Sequence, residues 1–345
     1  MRVGHTVNDG AATPFVSTGA ARALLAYLPR QGHAREKVLE RAGIETRLPS
    51  EGERLPREAN QRLWKVAVEL ADREALGLEV AMVADRGAFG LVEYLTRTTG
   101  TLADCLALLE SYGRLTHDAV RFTSGAREDA LIFTHGTRDG VAQQPEAVDF
   151  VAAVLVGVAR QLAGLDFGLR AIALARPTPR DPTTWRRFFR CPVQFAAIET
   201  QLTIDAALAA RPLPARDPAL HELLRKQAQR ELDALPSGPG DLTARVAEAI
   251  EESLLMDGGQ LESVARRLGM SSRTLRRHLA DAGIPFRVLR DGVRRRRALR
   301  LEGSARQSEI AAEVGFDSLS AYRRAFTRWT GMSPSAWRRR QRSRS

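Results

Sequence analysis

The sequence predicts an α+β N-terminal domain followed by an all-α C-terminal domain with two helix-turn-helix motifs joined by a linker helix. Three observations carry that expectation. A motif is repeated within residues 241–345, a charge imbalance is confined to the same stretch, and a Pro/Gly/Ser segment divides it from the rest of the chain.

The first copy of the motif runs from Val264 to Leu279 and the second from Ile310 to Phe326. They superpose at an offset of 46 as far as the glycine, with Val264 on Ile310, Ala265 on Ala311, Leu268 on Val314 and Gly269 on Gly315. Past the turn the offset is 47, with Ser271 on Ser318, Leu275 on Tyr322, Arg276 and Arg277 on Arg323 and Arg324, and Leu279 on Phe326. One extra residue in the second turn accounts for the slip.

In the first copy Val264, Ala265 and Leu268 form an apolar face, Gly269 permits the turn, and Ser271 or Ser272 caps the next helix. Leu275 and Leu279, four apart, share a face and point inward. Arg273, Thr274, Arg276 and Arg277 are left outward. In the second copy Tyr322, Phe326 and Trp329 make the buried stripe, leaving Ser320, Ala321, Arg323 and Arg324 outward. The second helix of such a motif enters the major groove, where an arginine fork matches the O6 and N7 acceptors of guanine. These eight outward residues are therefore expected at base edges, and Ser271, Ser272, Arg294 and Arg328 at phosphates. For any single arginine a phosphate is as good a destination, since half or more of protein–DNA hydrogen bonds go to the backbone.

The charge distribution agrees. Residues 241–345 hold 22 arginines, no lysine and 12 carboxylates, so they carry +10 of the chain's +11. A basic module on a nearly neutral one is the electrostatic footprint of a binder of double-stranded DNA. The alternative for the last run, Trp337-Arg338-Arg339-Arg340-Gln341-Arg342, is a solubilising tail. Between the copies, residues 286–301 place Phe286, Leu289, Val293 and Leu301 among Arg294 to Arg297, which predicts one connecting helix that sets the distance between the two reading heads. Gly292 inside it should cost about 1 kcal/mol against alanine and permit bending.

Pro236-Ser237-Gly238-Pro239-Gly240 is the expected linker, because neither residue type continues a helix. A helix from Ala219 to Leu235 precedes it, and Asp241 is placed to cap the next. This gives a sensing or dimerisation domain over 1–215, a helix and linker over 216–240 and a DNA-binding domain over 241–345. In the first domain, helices are predicted near 18–29, 34–42, 57–72, 101–114 and 145–164. Residues 119–123 and 130–134 predict a hairpin whose turn spans Ser124 to Asp129 and includes Gly125. Further strands are expected at 169–175 and 201–204.

The C-terminal residues resemble the AraC/XylS family of bacterial transcription regulators. The resemblance covers roughly 242–340 and is most specific at Ile310-Ala311, Gly315-Phe316, Arg324-Ala325-Phe326, Arg328-Trp329, Gly331, Ser333-Pro334 and Arg338, with Arg294 and Ala298 in the linking helix. It implies that positions matching Arg273, Arg276, Arg277, Ser320, Ala321 and Arg324 lie toward the bases. Thr327 stands where a basic residue is common, and Thr330 where an aromatic is common. Gly77-Leu78-Glu79-Val80, Gly87-Ala88-Phe89-Gly90, Thr101-Leu102, Tyr112 and Phe189-Arg190-Cys191-Pro192-Val193-Gln194-Phe195 resemble the arabinose-binding-type regulatory domain of a subgroup that includes ornithine-responsive and virulence-associated members. That likeness implies sensing of a small-molecule effector and self-association, as in a homodimer; it does not imply arabinose. The expected working is that effector binding changes contact with RNA polymerase.

Tyr94, Tyr112, Trp185 and Phe188, with Phe189, are the candidate effector contacts, although aromatics of this kind serve equally as core. His117 and His135 face each other across the predicted hairpin, but with no third ligand in view the reading is ordinary histidines and no metal. Cys105 and Cys191 lack metal-like spacing, and no cofactor is indicated. Cys191 beside Pro192 raises a cysteine-dependent DNA-repair alternative, but a reactive thiol needs a partner that stabilises thiolate, and Arg190 alone is weak support. No nucleophile elbow, phosphate loop or dinucleotide fingerprint occurs, which argues against an enzyme. No apolar run reaches the roughly 18 residues of a membrane span, and no export signal opens the chain, which suits a cytoplasmic protein. A constitutive or architectural DNA binder, whose first 215 residues only dimerise, is the alternative to a ligand-controlled regulator.

Overall fold

The computed structural model describes residues 15–44, 54–138, 143–164, 167–214, 216–235, 239–281, 284–302, 305–330 and 332–342. They group into two compact units, one built on Phe15–Thr137 and Ala142–Leu235, the other on Pro236–Ser345. Among the described residues no helix is long and apolar enough to cross a membrane.

The first unit opens with β1 (Phe15–Ser17), α1 (Gly19–Tyr27), α2 (Arg35–Arg41), β2 (Arg54–Pro56) and α3 (Arg57–Ala71). Next come the short α4 (Leu76–Ala81) and α5 (Gly90–Thr96), then α6 (Leu102–Tyr112), the hairpin β3 (Val120–Arg127) and β4 (Ala130–Thr137), and the long α7 (Pro145–Ala163). The unit closes with β5 (Ala171–Ala173), α8 (Thr183–Phe189), β6 (Val193–Gln194), β7 (Thr200–Asp205), α9 (Ala206–Ala210) and α10 (Pro218–Ala234). β1 and β2 pair antiparallel, while the other five strands form a sheet in the order β3-β4-β7-β5-β6 in which only β5 and β6 run parallel.

The hairpin differs from the sequence expectation. Gly125 lies within β3, paired with Ile132, and the turn is only Glu128-Asp129, with Glu128 at φ 51°. A glycine inside a strand resembles a turn signal from sequence alone; here pairing with β4 carries the chain through it.

Two cores flank α7. On one side α1, α2 and α3 bury Leu24, Leu28, Leu39, Leu63 and Trp64, with Phe150 of α7. On the other, Phe133, Ile172 and Leu202 of the sheet pack with Leu102, Leu106 and Val156. A helix buried on both sides must be apolar on both, and Ala147 to Ala159 of α7 is apolar except at Asp149 and Gly157. Asp149 is offset by a buried ion pair with Arg176, whose guanidinium also lies 4.5 Å over the Trp185 ring. α10 belongs to this unit: Ala228 is buried with Val92, Leu95 and Tyr112, and Thr98 Oγ1 meets His221 Nδ1 at 3.0 Å.

The second unit is all helix: α11 (Pro239–Asp257), α12 (Leu261–Arg267), α13 (Ser272–Asp281), α14 (Phe286–Leu301), α15 (Gln307–Glu313), α16 (Leu319–Thr330) and α17 (Pro334–Arg342). α11 begins at Pro239, so Asp241 sits inside its first turn rather than before it; Pro236 to Gly238 of the expected linker lie outside the described residues. α14 covers the expected 286–301 and runs unbroken through a buried Gly292. The terminal arginine run is no simple tail. Trp337 is buried edge-on to Phe326 at 6.0 Å, and Arg338 of the same helix pairs with Glu302.

Candidate nucleic-acid interface and cavity

The two reading heads are built alike. Gly269 and Gly315 take φ of 70° and 73° after α12 and α15, a left-handed conformation that glycine adopts without strain. Ser271 Oγ then accepts from Thr274 N at 3.1 Å, and Ser318 Oγ from Ala321 N at 3.2 Å, so each second helix is capped at its third residue. Leu275 and Leu279 are fully buried, as are Tyr322 and Phe326; Trp329, expected in that stripe, is only half-buried against Phe316.

Opposite those faces lie the residues expected at DNA. Arg273, Arg276 and Arg277 are exposed on α13 with no partner among the described residues, and Thr274 beside them is half-buried, sharing a hydrogen bond with Ser271. On α16, Ser320, Arg323 and Arg324 are exposed and Ala321 half-buried. Arg323 donates to Gln307 Oε1 at 3.1 Å and Arg324 to Ser320 Oγ at 2.9 Å, contacts at the surface that a base or phosphate can displace. Ser271 is exposed and Ser272 half-buried, while Arg328 is exposed and held to Asp291 at 2.9 Å. Thr330, in the position where an aromatic is common, uses its hydroxyl to accept nothing from a ring but to donate to Phe326 O at 2.8 Å, closing the end of α16.

Arg294 corrects the phosphate expectation. It is 8% exposed, its Nη2 donates to Gly258 O and Gly315 O at 2.7 Å each, and its guanidinium lies 4.5 Å over the Phe316 ring. Gly258, at φ 70°, ends α11 and Gly315 ends α15, and the two glycines touch: a Cβ on Gly315 would collide with Gly258 Cα. Arg294 thus clamps the turn leading into the first head against the turn inside the second. One terminal nitrogen holds both carbonyls while the planar guanidinium stacks on Phe316, a stack that lysine's compact ammonium does not reproduce. A second clamp holds the other end of α14, where Glu302 accepts from Tyr322 Oη at 2.5 Å and pairs with Arg338, which also donates to Ala305 O at 2.6 Å. Among the described residues, α14 fixes the heads rather than hinging at Gly292.

The first unit holds a partly open cavity of about 180 Å³ between its two cores, walled along one side by α7 from Gln144 to Ala159. Its walls are mostly apolar, among them Trp64, Leu106, Phe122, Phe150 and Val154, with Arg57, Asn60, Gln61, Gln144, His117 and His135 as polar members. Burial, with Arg57 and then His135 alongside, holds His117 down to about 3, and burial holds His135 to about 4, so both imidazoles are neutral. Among the described residues no cluster of three His, Cys, Asp or Glu could hold a metal ion.

None of the four aromatics expected at an effector lines this cavity. Tyr94 is 45% exposed over Gly87, and Tyr112 is buried beneath α10, donating to Gln229 at 3.3 Å. Trp185 is buried under Arg176, and Phe188 packs edge-on to Phe189 at 5.1 Å. They are core. Sequence reasoning missed Arg57, Asn60 and Gln144, whose only local signal was a polar start to each of two helices with a wide apolar face. The thiols are poorly suited to attack: burial pushes Cys191 up to about 11 and Cys105 up to about 12, against the thiolate a repair acceptor needs.

A family model described as the arabinose-binding domain of the AraC transcription regulator, N-terminal, matches residues 32–213, and a helix-turn-helix domain model matches 264–340. The chain belongs to the AraC family of transcription regulators. An ornithine utilization regulator of Pseudomonas aeruginosa is 27% identical over 338 residues, covering 94% of this chain and 96% of that protein. The regulator VirS of Mycobacterium tuberculosis is 26% identical over 282 residues, 80% of this chain and 82% of that one. The crystal structure of the regulator CdpR from P. aeruginosa aligns with 92% of this chain and 97% of that chain at 22% identity and a TM-score of 0.46. The protein is a DNA-binding transcription regulator, and these relatives are regulators rather than enzymes.

Proposed function

We propose that this regulator reads a promoter-proximal site through α13 and α16 and is controlled by a small effector held in the α7 cavity. The cavity carries the reading, because a concave, mostly apolar space with a few polar groups is the usual form of a small-molecule site, and all of its lining except Val16, Ser17 and Ala20 lies within the residues matched by the regulatory-domain model. In this reading Arg273, Thr274, Arg276 and Arg277 of α13, with Ser320, Ala321, Arg323 and Arg324 of α16, face base edges. The N-terminal N–H groups of α13 near Ser271 and Ser272, and the Arg328 side chain, meet phosphates. Two heads held at fixed separation engage major-groove faces about 34 Å apart on one side of the duplex. Effector binding alters self-association or contact with RNA polymerase only so far as the effector distinguishes two states of the protein.

The test is selection of genomic DNA fragments on the full-length protein at near-physiological salt. A few sharp sites with half-sites one helical turn apart support the reading; a diffuse, salt-sensitive profile supports an architectural role. On a selected site, Arg277→Ala and Arg324→Ala should each weaken binding by about 1–3 kcal/mol where the residue reads a base. Equal losses on random DNA would reassign that arginine to phosphate.

A further inference from the structure

The two reading heads differ at one place that their shared architecture does not explain. α12 and α15 have seven residues each and begin at positions that the repeat superposes, Leu261 on Gln307. The helix after each reading helix is led by a proline, Pro285 before Phe286 in α14 and Pro334 before Ser335 in α17. In the first head Leu261 is buried and Phe286 packs against the same core. In the second head both positions are polar, and Gln307 Nε2 donates to Ser335 Oγ at 3.0 Å. An amide and a hydroxyl in place of a leucine and a phenylalanine give up apolar burial. Departures of this kind from packing are expected where a residue serves function instead.

What Gln307 holds is Arg323. Its Oε1 accepts from Arg323 Nε at 3.1 Å. Arginine only donates, so the amide oxygen must be the end that faces it, and Ser335 takes the amide nitrogen. The bond occupies Nε alone. Nη1 and Nη2 have no partner among the described residues and stand at the outer end of an exposed side chain. Those two nitrogens suit an end-on fork to guanine O6 and N7, which leaves the bond to Gln307 in place on DNA. Arg276, superposed on Arg323, is exposed with no partner among the described residues, and a leucine at 261 offers it no acceptor.

We propose that Gln307 is a positioning residue that orients Arg323 toward a guanine, so that the second head discriminates at that base pair more sharply than Arg276 does in the first. This rests on the base-reading assignment of Arg323 above and adds the group that orders it. Immobilising a rotamer-rich side chain on binding costs a factor of roughly 2 to 12 in affinity. A wrong base makes no fork, so an arginine ordered in advance tightens binding to guanine alone, and discrimination grows by the same factor. An arginine with no such hold also reaches phosphates, which reward every sequence alike.

The experiment selects from a library of randomised DNA duplexes on the full-length protein at near-physiological salt and compares the base profiles that the unaltered protein and its variants recover. Arg323→Ala should flatten a guanine preference at one position of the second half-site. Gln307→Leu installs the residue that the first head carries at the superposed position, so the fold is kept. It should weaken the preference at that same position by roughly 2- to 12-fold, with the other positions, the affinity for random duplex and the salt slope unchanged. Added to Arg323→Ala, Gln307→Leu should change nothing further, the signature of two residues acting as one unit. Gln307→Glu keeps an acceptor for Nε and should keep the preference. A Gln307→Leu protein with an unchanged profile overturns the proposal, as does one that loses preference at every position of the half-site, the outcome of a purely structural role. Arg323→Ala weakening all sequences alike assigns Arg323 to phosphate and also overturns it. An unaltered protein that recovers no preferred sequence defeats the base-reading assignment and the proposal with it, whereas sharp sites indifferent to Gln307 defeat the proposal alone.

Discussion

Arg294→Met separates two roles that the sequence leaves in competition. If Arg294 contacted a phosphate, its loss would spare the fold and lower the magnitude of the salt slope of DNA binding by about 0.9, the share of one phosphate on B-DNA. The structure predicts the reverse. Two hydrogen bonds of 2.7 Å from one guanidinium to the carbonyls of Gly258 and Gly315 disappear together with stacking on Phe316. Bonds to a charged group contribute about 1.5–3 kcal/mol each. The cation's own desolvation, which pulls Arg294 down to about 10, offsets part of that, because removing a buried charge also removes the cost of burying it. A net loss of about 2–3 kcal/mol remains, since methionine fills the stem's volume but leaves two carbonyls unpaired. Hydrogen exchange of the amides around Gly258 and Gly315 in the full-length protein reads that loss as reduced protection, and operator titrations across a salt series read the slope. The clamp requires lower protection at both turns with an unchanged slope. Unchanged protection with a slope reduced by about 0.9 refutes it and returns Arg294 to the phosphate backbone.

The glycine pair gives an internal control. Gly269→Ala and Gly315→Ala both place alanine at positive φ, for about 1–2 kcal/mol each, but only Gly315 would drive its Cβ into Gly258; equal losses in thermal unfolding would deny the contact. The histidines predict acid sensitivity. With folded values of about 3 for His117 and about 4 for His135, the unfolded chain binds more protons below about 6.5, so stability is full above that pH and falls as pH drops toward the folded values. By linkage each contributes about 2 kcal/mol of that loss by pH 5. His135→Gln should remove about half of the fall in the unfolding midpoint between pH 6.5 and 5, leaving the His117 share, and a midpoint already flat in the unaltered protein would contradict the buried neutral pair.

Much of the second unit was legible because its signals are local. The apolar stripe of α13, its Ser271 cap and the positive-φ glycine before it all fall within a dozen residues, and the same set recurs in α15 and α16. α1, α3, α6 and α7 were legible for the same reason. α4, α5, α8 and α9 have five to seven residues each, under two turns, which gives a 3.6-residue period little room to show; α2 is as short but was legible near 34–42. The cavity was not legible at all. It is assembled from α1, α3, α5, α6, α7 and the sheet, and choosing aromatics by type selected Tyr112 and Trp185, whose large rings found places in the core instead.

The run Arg294 to Arg297 shows why net charge overstates contact with DNA. Four consecutive residues on a helix point in four directions, about 100° apart, so one composition serves several ends. Arg294 closes the turns; burial lowers the Arg295 guanidinium from its usual value; Arg297 pairs with Glu313 at 2.7 Å. Elsewhere in the unit Arg267 pairs with Glu252, Arg300 with Glu251 and Arg338 with Glu302. Much of the basic excess of residues 241–345 is therefore not presented to a duplex as free charge. The exposed arginines without a partner among the described residues include Arg273, Arg276 and Arg277, all on α13. The salt dependence of binding should consequently follow substitutions on α13 more steeply than substitutions on α14, even though α14 holds more arginines. Equal slopes would mean that the ion pairs of α14 open on DNA, which the buried clamp at Arg294 opposes.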